Sequence, residues 1–451
     1  MTTRILMRLA AGVFAAGLLA ACHGGGSMPP AAEQTGAFSQ AGQSSLLQPA
    51  STMAQPALTS FSPSSWGKIG TFQIFDETNN GTISASSAIA HGPRYSAVWG
   101  ARPGMGSAWR TNNPGLKSSY YFIAVTDAST TSWGGIGHSL TWWKTYHPTW
   151  ILYACTSAGV PTHTPASVVG LPNVPLDIRN PAVVSYQVKS LIAPYAASHG
   201  YSALAADEVT YWFAGSGGAG YYPCGIWSGS TFIRRYSGLH DLTYATDMVN
   251  WVKSAHSILR TYFPTLKFIV NHPASGLNTN EETLLSNVDA DMDETGFTDY
   301  GQYRNSRFLM ETAWMKYGQA HGTTMLINQD WGKLAMGTPQ IDYSVATYLM
   351  GNEQSSGVFI SPHTGYGVEV WRQEYATNIG APCAEFTGGP SVYMRRFANA
   401  IVVVNANDAS AQYAKLPTNH SYADLEGRAV HNPLYLQPND GYVLKTTNGC
   451  I

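Results

Sequence analysis

The segment Gly200-Tyr201-Ser202-Ala203-Leu204-Ala205-Ala206-Asp207-Glu208-Val209 is a run of small apolar residues that ends in two adjacent acids. A buried strand with acids only at its C-terminal end is typical of parallel barrels, where strand ends carry the functional groups. The alternative is the start of a helix, because Asp and Glu also suit a first helical turn. The rest of the chain has to separate these two interpretations.

Eight apolar, β-rich runs alternate with segments of helical periodicity from Trp66 onwards. The predicted strands are residues 69–77, 95–101, 118–125, 203–209, 266–272, 289–297, 323–329 and 357–362. The clearest predicted helices are residues 180–199, 242–263, 307–321 and 343–353, where apolar residues recur at three- and four-residue spacing. This alternation predicts an α/β protein with a (β/α)8 TIM barrel, in which the opening segment is the fourth strand. A doubly wound open sheet is the structural alternative, although no Gly-rich phosphate turn follows the first predicted strand.

The chain changes character after the eighth predicted strand. Residues 391–445 lack helical periods and contain short β runs separated by turn signals. This pattern predicts a small C-terminal all-β domain with a core at Val402-Val403-Val404 and a turn at Asn439-Asp440-Gly441. We therefore assign residues 66–385 to a catalytic barrel and residues 386–451 to the C-terminal β-domain.

The first 22 residues have the pattern of a secretory signal. Arg4 and Arg8 precede an apolar run over residues 9–19, which is too short and wrongly flanked for a stable membrane span. The ending Leu19-Ala20-Ala21-Cys22 resembles a bacterial lipobox, which implies cleavage before Cys22 and lipidation of that cysteine. A plain secretory signal cut near the same place is the alternative.

Residues 23–65 are rich in Gly, Ser, Ala, Pro and Gln and carry hardly a charge, which predicts a flexible linker. By resemblance to lipoprotein sorting rules, His23 after the cysteine favours the outer membrane. We therefore expect a bacterial cell-envelope protein that is lipid-anchored at the membrane or secreted. We also expect it to be a monomer.

Composition indicates the class of partner. Charged residues make up 12% of the chain, against roughly 25% in an average globular protein. With 13 Trp and 26 Tyr, this predicts a neutral, aromatic-rich surface that suits sugars. The net charge of −2 and the lack of Lys/Arg clusters argue against nucleic acid, which requires a basic surface.

Four cysteines follow Cys22, in a compartment that permits disulfides. Cys155 and Cys224 both follow predicted strands in the middle of the chain, whereas Cys383 and Cys450 bracket its last segment. We therefore predict the pairs Cys155–Cys224 and Cys383–Cys450, with free buried thiols as the alternative. No Cys or His spacing indicates a zinc site, and we expect neither a metal nor a cofactor.

Two long insertions, near residues 126–178 and 210–238, follow the third and fourth predicted strands and are rich in aromatic residues. Both begin at C-terminal strand ends, where barrel loops build active sites and aromatic rings can stack on sugars. We assign Trp99, Trp143 and Trp212 to substrate binding. For most of the single tryptophans, a local core beneath the loops is the alternative.

The sixth predicted strand supplies a second group of acids. Side-chain alternation puts Asp291 and Asp293 on one face and Glu294 on the other, with Ala290 and Met292, so Glu294 is the inward candidate. Asp293 is its alternate. A calcium site or a solvated loop is the alternative interpretation of this acidic segment.

Two acids at barrel strand ends are enough for glycoside hydrolysis, if one is protonated and the other ionised. We assign Asp207 as nucleophile or base and Glu294 as general acid/base. Glu208 is the alternate to Asp207, because a shift of one residue in register would exchange them.

Polar residues at other strand ends are candidates for positioning the substrate, with ordinary strand-end capping as the alternative. They are Asp76, Asn271, His272, Asn328 and Gln329, followed by His363 and Tyr366 after the eighth strand. No Gly-x-Ser-x-Gly elbow indicates an esterase, and no metal spacing supports a deacetylase.

Several segments carry a resemblance to a known family. They are residues 94–100, residues 143–153 with His147-Pro148-Thr149-Trp150, residues 175–181, Asp207-Glu208-Val209, and the ending from residues 395–399 through 440–444. Together they resemble the hypothetical glycosyl hydrolase family 15, a barrel followed by a small β-domain.

This resemblance implies hydrolysis of a poly- or oligosaccharide, with Asp207 on the fourth strand and Glu294 on the sixth as the catalytic pair. The chain departs from the commonest form by having Ala205-Ala206, where a bulky apolar residue precedes the Asp, and this leaves more room beside Asp207. A barrel that only binds carbohydrate or a cell-surface partner is the alternative function. The resemblance specifies neither the sugar, the linkage nor the stereochemical course.

Overall fold

A computed structural model describes residues 66–75, 77–78, 81–127, 136–166, 174–212, 222–298, 305–331, 337–361 and 371–450. The predictions at Cys22, Asp76, His363 and Tyr366, and those for the signal and the linker, lie outside these residues. Among the helices in the described ranges, none combines the length and apolar character needed to cross a membrane.

Eight parallel strands form the central sheet and are neighbours in the order of the chain. They are β1 (Gln73–Ile74), β2 (Ala97–Trp99), β3 (Lys117–Ile123), β4 (Ala203–Asp207), β5 (Lys267–Asn271), β6 (Ala290–Asp293), β7 (Thr324–Asp330) and β8 (Ser356–Ser361). A parallel bridge between Thr71 and Val358 joins the start of the first strand to the last one. The sheet therefore closes into the predicted barrel, and the segment that ends in Asp207 is its fourth strand.

The first strand is shorter than predicted. It covers Gln73–Ile74 in place of residues 69–77, because Phe75 adopts a positive φ of 53° that ends the extended backbone. The other barrel strands lie within the predicted runs or differ from them by one or two residues at an end.

The helices of the described chain are α1 (Ala85–His91), α2 (Met105–Arg110), α3 (Leu140–Tyr146), α4 (Pro181–Val184), α5 (Ala193–Ser198), α6 (Leu242–Tyr262), α7 (Thr279–Leu285), α8 (Asn305–Ala320) and α9 (Thr338–Gly351). A π-helical stretch, Ser185–Ile192, joins α4 to α5. Short 3-10 turns occur at Gly92–Arg94, Pro148–Trp150, Gly296–Thr298 and Gln373–Ala376. The four predicted helices are thus confirmed.

Contacts divide the chain into two compact units. One consists of Ile123–Gln187 and Glu208–Ser254, and within the described residues it contains a four-stranded antiparallel sheet. The order of that sheet is Thr231–Arg234, Tyr222–Ser228, Tyr153–Cys155 and Pro161–Pro165. This sheet was not predicted, because its short strands include prolines and lack a clear alternation of polar and apolar residues. The predicted disulfide Cys155–Cys224 joins two neighbouring strands of it.

The other unit contains the barrel sheet and a C-terminal antiparallel sheet of Thr387–Gly388, Val392–Phe397, Ala400–Asn405 and Asp440–Lys445. Two-stranded pairs form between Gln412–Ala414 and Leu434–Leu436, and between Glu77–Thr78 and Gly81–Thr82. The predicted all-β character of this region is confirmed, with Val402, Val403 and Val404 fully buried. The predicted disulfide Cys383–Cys450 is present as well.

The C-terminal sheet packs against α9. A Cβ atom at Gly441 would lie 2.8 Å from Ala346 Cβ, so the last strand requires glycine where it crosses the helix. The buried Arg395 donates to the carbonyl oxygens of Leu349, Met350 and Asn352, which belong to the end of α9 and the residue after it. These contacts satisfy carbonyls that a helix end leaves without an intrahelical partner.

Candidate active site

Side chains from four neighbouring strands of the barrel are joined by hydrogen bonds at its C-terminal end. Tyr121 of β3 donates from its hydroxyl to Asp207 Oδ2 at 2.5 Å, at the end of β4. Asn271, which ends β5, donates from Nδ2 to Asp207 Oδ1 at 2.8 Å. The same nitrogen lies 3.1 Å from Oε2 of Glu294, the residue that follows β6. We call Tyr121, Asp207, Asn271 and Glu294 the inner site.

The shared amide limits the separation of the two acids. Asp207 Oδ1 and Glu294 Oε2 lie 2.8 and 3.1 Å from one nitrogen, so these two oxygens are no further apart than the sum, about 6 Å. Carboxyl groups roughly 5–5.5 Å apart are typical of retaining glycosidases, and 6.5–9.5 Å of inverting ones. The nearest oxygens of the two acids are thus about 6 Å apart or less, close to the separation of a retaining pair.

Aromatic rings pack beside the tyrosine of the inner site. The rings of Phe75 and Trp99 meet the Tyr121 ring edge-on, at centroid distances of 5.6 and 6.3 Å. A Cβ atom at Gly100 would lie 2.6 Å from the Phe75 ring, and the φ of Gly100 is +75°, so glycine is required there. Because Trp99 is only 1% exposed, its ring supports Tyr121 and offers no open face to a sugar. This corrects the assignment of Trp99 to sugar stacking.

The backbone after the fourth strand separates the two adjacent acids. Asp207 is buried in the inner site, whereas Glu208 is half-buried and has a φ of +59°. Left-handed backbone is uncommon for a residue with a side chain and is found most often at functional sites. Burial, together with the charges of Glu208 and Asp247, raises the pKa of Tyr244. The charge of Glu208 therefore contributes to the raised pKa of Tyr244. The carboxyl group of Asp207 instead accepts hydrogen bonds from Tyr121 and Asn271.

Strand β7 presents its two predicted polar residues to opposite faces. The amide of Gln329 accepts from Phe297 N at 2.8 Å and donates to Thr298 Oγ1, so it holds the turn after β6. Asn328 precedes Gln329 and points to the other face, because side chains alternate along a strand. The pairing of Ile327 with Asp293 puts Asn328 beside Glu294. Gln329 is therefore a structural residue, which corrects its assignment to substrate binding.

Asn328 is fully buried, yet neither of its amide atoms has a hydrogen-bond partner among the described residues. Within the same ranges, Oδ1 of Asn271 is also buried and without a partner. Buried polar groups in native proteins are nearly always satisfied by protein, water or ligand. A water molecule or a ligand that reaches these three atoms would satisfy them.

His272 points away from the inner site. Its Nε2 lies 2.8 Å from Glu281 Oε2 of α7, and both side chains are fully buried. Asn271 and His272 are adjacent in the chain and face opposite sides of the sheet, as alternation requires. The prediction that His272 contacts substrate is corrected in favour of this contact between β5 and α7.

The remaining acids of the sixth strand face the helices. Asp291 and Asp293 of β6 are fully buried, as is Glu311 of α8, and Arg307 of α8 binds Asp293. Arg307 Nη2 also lies 3.1 Å from Glu311 Oε2. We call Asp291, Asp293, Arg307 and Glu311 the outer cluster. Asp293, the alternate to Glu294, therefore belongs to the helix side of the strand.

Burial controls protonation in the outer cluster. It raises the pKa of Asp291 well above the usual range of a carboxyl group. Burial and the neighbouring Asp293 carboxylate raise the pKa of Glu311 in the same way. Asp291 and Glu311 therefore favour the neutral form. Arg307 contacts Asp293 and Glu311. In the part of the chain that is described, no three His, Cys, Asp or Glu side chains are arranged to hold a metal ion.

Trp143 lies in the core of the other compact unit. It is fully buried, and its Nε1 donates to Asp127 Oδ2 at 2.8 Å, so no face remains for a sugar. This corrects its assignment and agrees with the alternative of a local core beneath the loops. Trp142 and Trp150 pack around it and are half-exposed. Trp212, five residues after Asp207, is also half-exposed and keeps its assignment as a prediction.

No family model matches the chain, and no curated protein sequence matches it. Solved structures similar to it include an Anoxybacillus alpha-amylase, at 10% identity and a TM-score of 0.44 over 84% of this chain and 98% of that one. Amy13B of Eubacterium rectale is 9% identical, with a TM-score of 0.43 over 84% and 94%. The cycloalternan-forming enzyme of Listeria monocytogenes, with a pentasaccharide substrate, is 10% identical at a TM-score of 0.42. That match covers 86% of this chain and 42% of the enzyme.

Proposed function

We propose that this protein is a glycoside hydrolase that cleaves a poly- or oligosaccharide with retention of anomeric configuration. The observation that carries the proposal is the hydrogen bonding of one amide, that of Asn271, to both Asp207 and Glu294. It brings two carboxyl groups from different strand ends within about 6 Å of each other, which suits a nucleophile and an acid/base.

In the proposed mechanism, Asp207 attacks the anomeric carbon and forms a glycosyl-enzyme ester. Its Oδ2 accepts a hydrogen bond from Tyr121, and its Oδ1 accepts one from Asn271. These bonds orient the carboxylate and favour its ionised form.

Glu294 is the proposed acid/base. It protonates the leaving oxygen in the first step and removes a proton from water in the second, as retaining hydrolysis requires. Its contact with Asn271 Nδ2 keeps it on the same side of the sheet as Asp207.

The polar atoms without a partner supply the proposed sugar contacts. Asn328 offers a donor and an acceptor beside Glu294, and Asn271 Oδ1 offers a second acceptor. Carboxamides can both donate to and accept from sugar hydroxyl groups. Trp212, from the loop after Asp207, remains the aromatic candidate for stacking.

The location and family are part of the proposal. We infer that the chain is anchored in the envelope through a lipid on Cys22, with residues 23–65 as its linker, and that it belongs to the hypothetical glycosyl hydrolase family 15. Metabolic labelling with a fatty-acid analogue tests the anchor. Label is expected on the wild type and not on Cys22→Ser, and equal labelling of both contradicts it.

The activity is tested by measuring release of reducing ends from a panel of bacterial polysaccharides. We expect release by the wild type and by the matched control Asp291→Asn, which changes the outer cluster. We expect a loss of at least about 1000-fold in Asp207→Asn and of 100-fold or more in Glu294→Gln, with unchanged circular dichroism. Binding without release in the wild type and in both variants would favour a carbohydrate-binding protein instead.

A further inference from the structure

Arg307 stands in the first turn of α8 and donates to several groups at once. Its Nε binds Gly296 O at 2.9 Å, and its Nη1 binds Ala274 O at 2.7 Å. Its Nη2 binds Asp293 Oδ2 and Thr295 Oγ1. The side chain is only 12% exposed, so the guanidinium is committed to these contacts.

The acceptors flank the residues of the inner site. Asp293 and Thr295 are the chain neighbours of Glu294, and Ala274 follows Asn271 by three residues. Asp293 strengthens the connection, because its Oδ1 accepts from Thr295 N at 2.7 Å and its Oδ2 from Ala274 N at 3.2 Å. The ends of β5 and β6 are therefore joined behind the inner site by one arginine and one aspartate.

We infer that Arg307 is a positioning residue that sets the distance between Glu294 and Asp207. It acts through the backbone on both sides of Glu294 and through the segment after Asn271. The inference rests on the proposed function. A planar guanidinium has five N–H donors and can bind acceptors on three sides at once, whereas a lysine ammonium is a point charge on a flexible stem.

The test compares Arg307→Lys with Arg395→Lys. Arg395 is a matched control, because it is also buried and also donates to backbone carbonyls and to one acid, Glu353, far along the chain from the inner site. Both substitutions keep the positive charge and remove the planar set of N–H donors. We expect kcat of Arg307→Lys to fall about 10- to 100-fold with KM changed less than about threefold, since small misplacements cost that much. Arg395→Lys should keep kcat per folded molecule.

A crystal structure of Arg307→Lys provides a readout that does not depend on activity. We expect Glu294 Oε2 to move beyond hydrogen-bond range of Asn271 Nδ2, which ends at roughly 3.5 Å. Loss of that contact supports the inference even if no glycan is cleaved, in which case the proposed function alone fails. The inference is overturned if the contact persists in the variant, or if Arg395→Lys loses as much kcat as Arg307→Lys.

Discussion

The two faces of strand β6 carry acids of the same type in different surroundings. On the barrel side, Glu294 meets a neutral amide that also holds Asp207. On the helix side, Asp293 meets Arg307, and Asp291 and Glu311 are buried nearby. Glu294 and Asp207 thus share an amide donor, whereas Asp293 forms an ion pair with Arg307. On these two faces the partner, more than the type of acid, distinguishes the roles that we assign.

The largest expected effect on kcat is that of substituting Glu294, the proposed acid/base. Glu294→Gln should lower kcat on the natural glycan by about 100- to 10,000-fold, because the leaving oxygen loses its proton donor. The loss of kcat/KM, which reports the first step alone, should be much smaller on a glycoside with an acidic phenol as leaving group, since that group departs without protonation. Glu311→Gln is the matched control on the outer face and should keep kcat. Equal losses on both substrates would contradict the acid role.

Asp293→Asn should reduce stability and also lower kcat, because Asp293 and Arg307 together join the ends of β5 and β6 behind the inner site. The change removes the charge opposite a nearly buried Arg307, and breaking such a pair costs about 3–5 kcal/mol. Urea unfolding measures this loss. Asp207→Asn is the control. We expect it to lose activity while its free energy of unfolding changes by less than about 1 kcal/mol. If Asp293→Asn unfolds at the wild-type urea concentration, the outer cluster does not have its assigned structural role.

Tyr121→Phe should slow the reaction through one hydrogen bond. A hydrogen bond to a charged group contributes about 1.5–3 kcal/mol, so we expect kcat to fall by roughly 10- to 150-fold. The control is Tyr120→Phe, the chain neighbour in β3, whose ring packs on Tyr195 and Tyr201 instead. A Tyr121→Phe variant with the kcat of the Tyr120→Phe variant would remove Tyr121 from the inner site.

Asp291→Asn should leave kcat unchanged and alter only the dependence of stability on pH. The folded state raises the pKa of Asp291, so the folded protein binds a proton that the unfolded chain releases above about pH 4. The contribution of this proton to the free energy of unfolding is therefore fully present below the pKa of the unfolded chain. It is lost as pH rises toward the pKa of the folded protein, by up to about 1.4 kcal/mol per pH unit. Urea unfolding measures the free energy of unfolding at pH 5 and at pH 8. Between these values it should fall less in Asp291→Asn than in the wild type. Identical declines would contradict the raised pKa.

Much of the fold could be predicted because barrel strands and helices repeat local patterns. Alternation in the sixth strand separated Glu294 from Asp291 and Asp293, and the structure separates them in the same way. Trp99 and Trp143 could not be assigned, because residue type does not reveal whether an aromatic ring is buried. The antiparallel sheet around Cys155–Cys224 was missed because its prolines hide the strand pattern.

The partners of the acids were the hardest to predict. Tyr121 lies inside a predicted strand, and nothing in Tyr120-Tyr121 shows which ring faces Asp207. His272 follows Asn271 at a strand end, and only the register shows that its partner is Glu281 on a helix. Arg307 begins a predicted helix, while its acceptors lie on two loops before it in the chain. Such pairings depend on tertiary contacts that local periodicity does not encode.

The central claim is that Asp207 and Glu294, held by one amide, act as a retaining pair. Its most direct test is the anomeric configuration of the first product released by the wild type, followed by proton NMR before mutarotation. With their nearest oxygens about 6 Å apart or less, the pair we propose retains configuration, so the first product should have the anomeric configuration of the bond that was cleaved. A first product of inverted configuration would contradict the account.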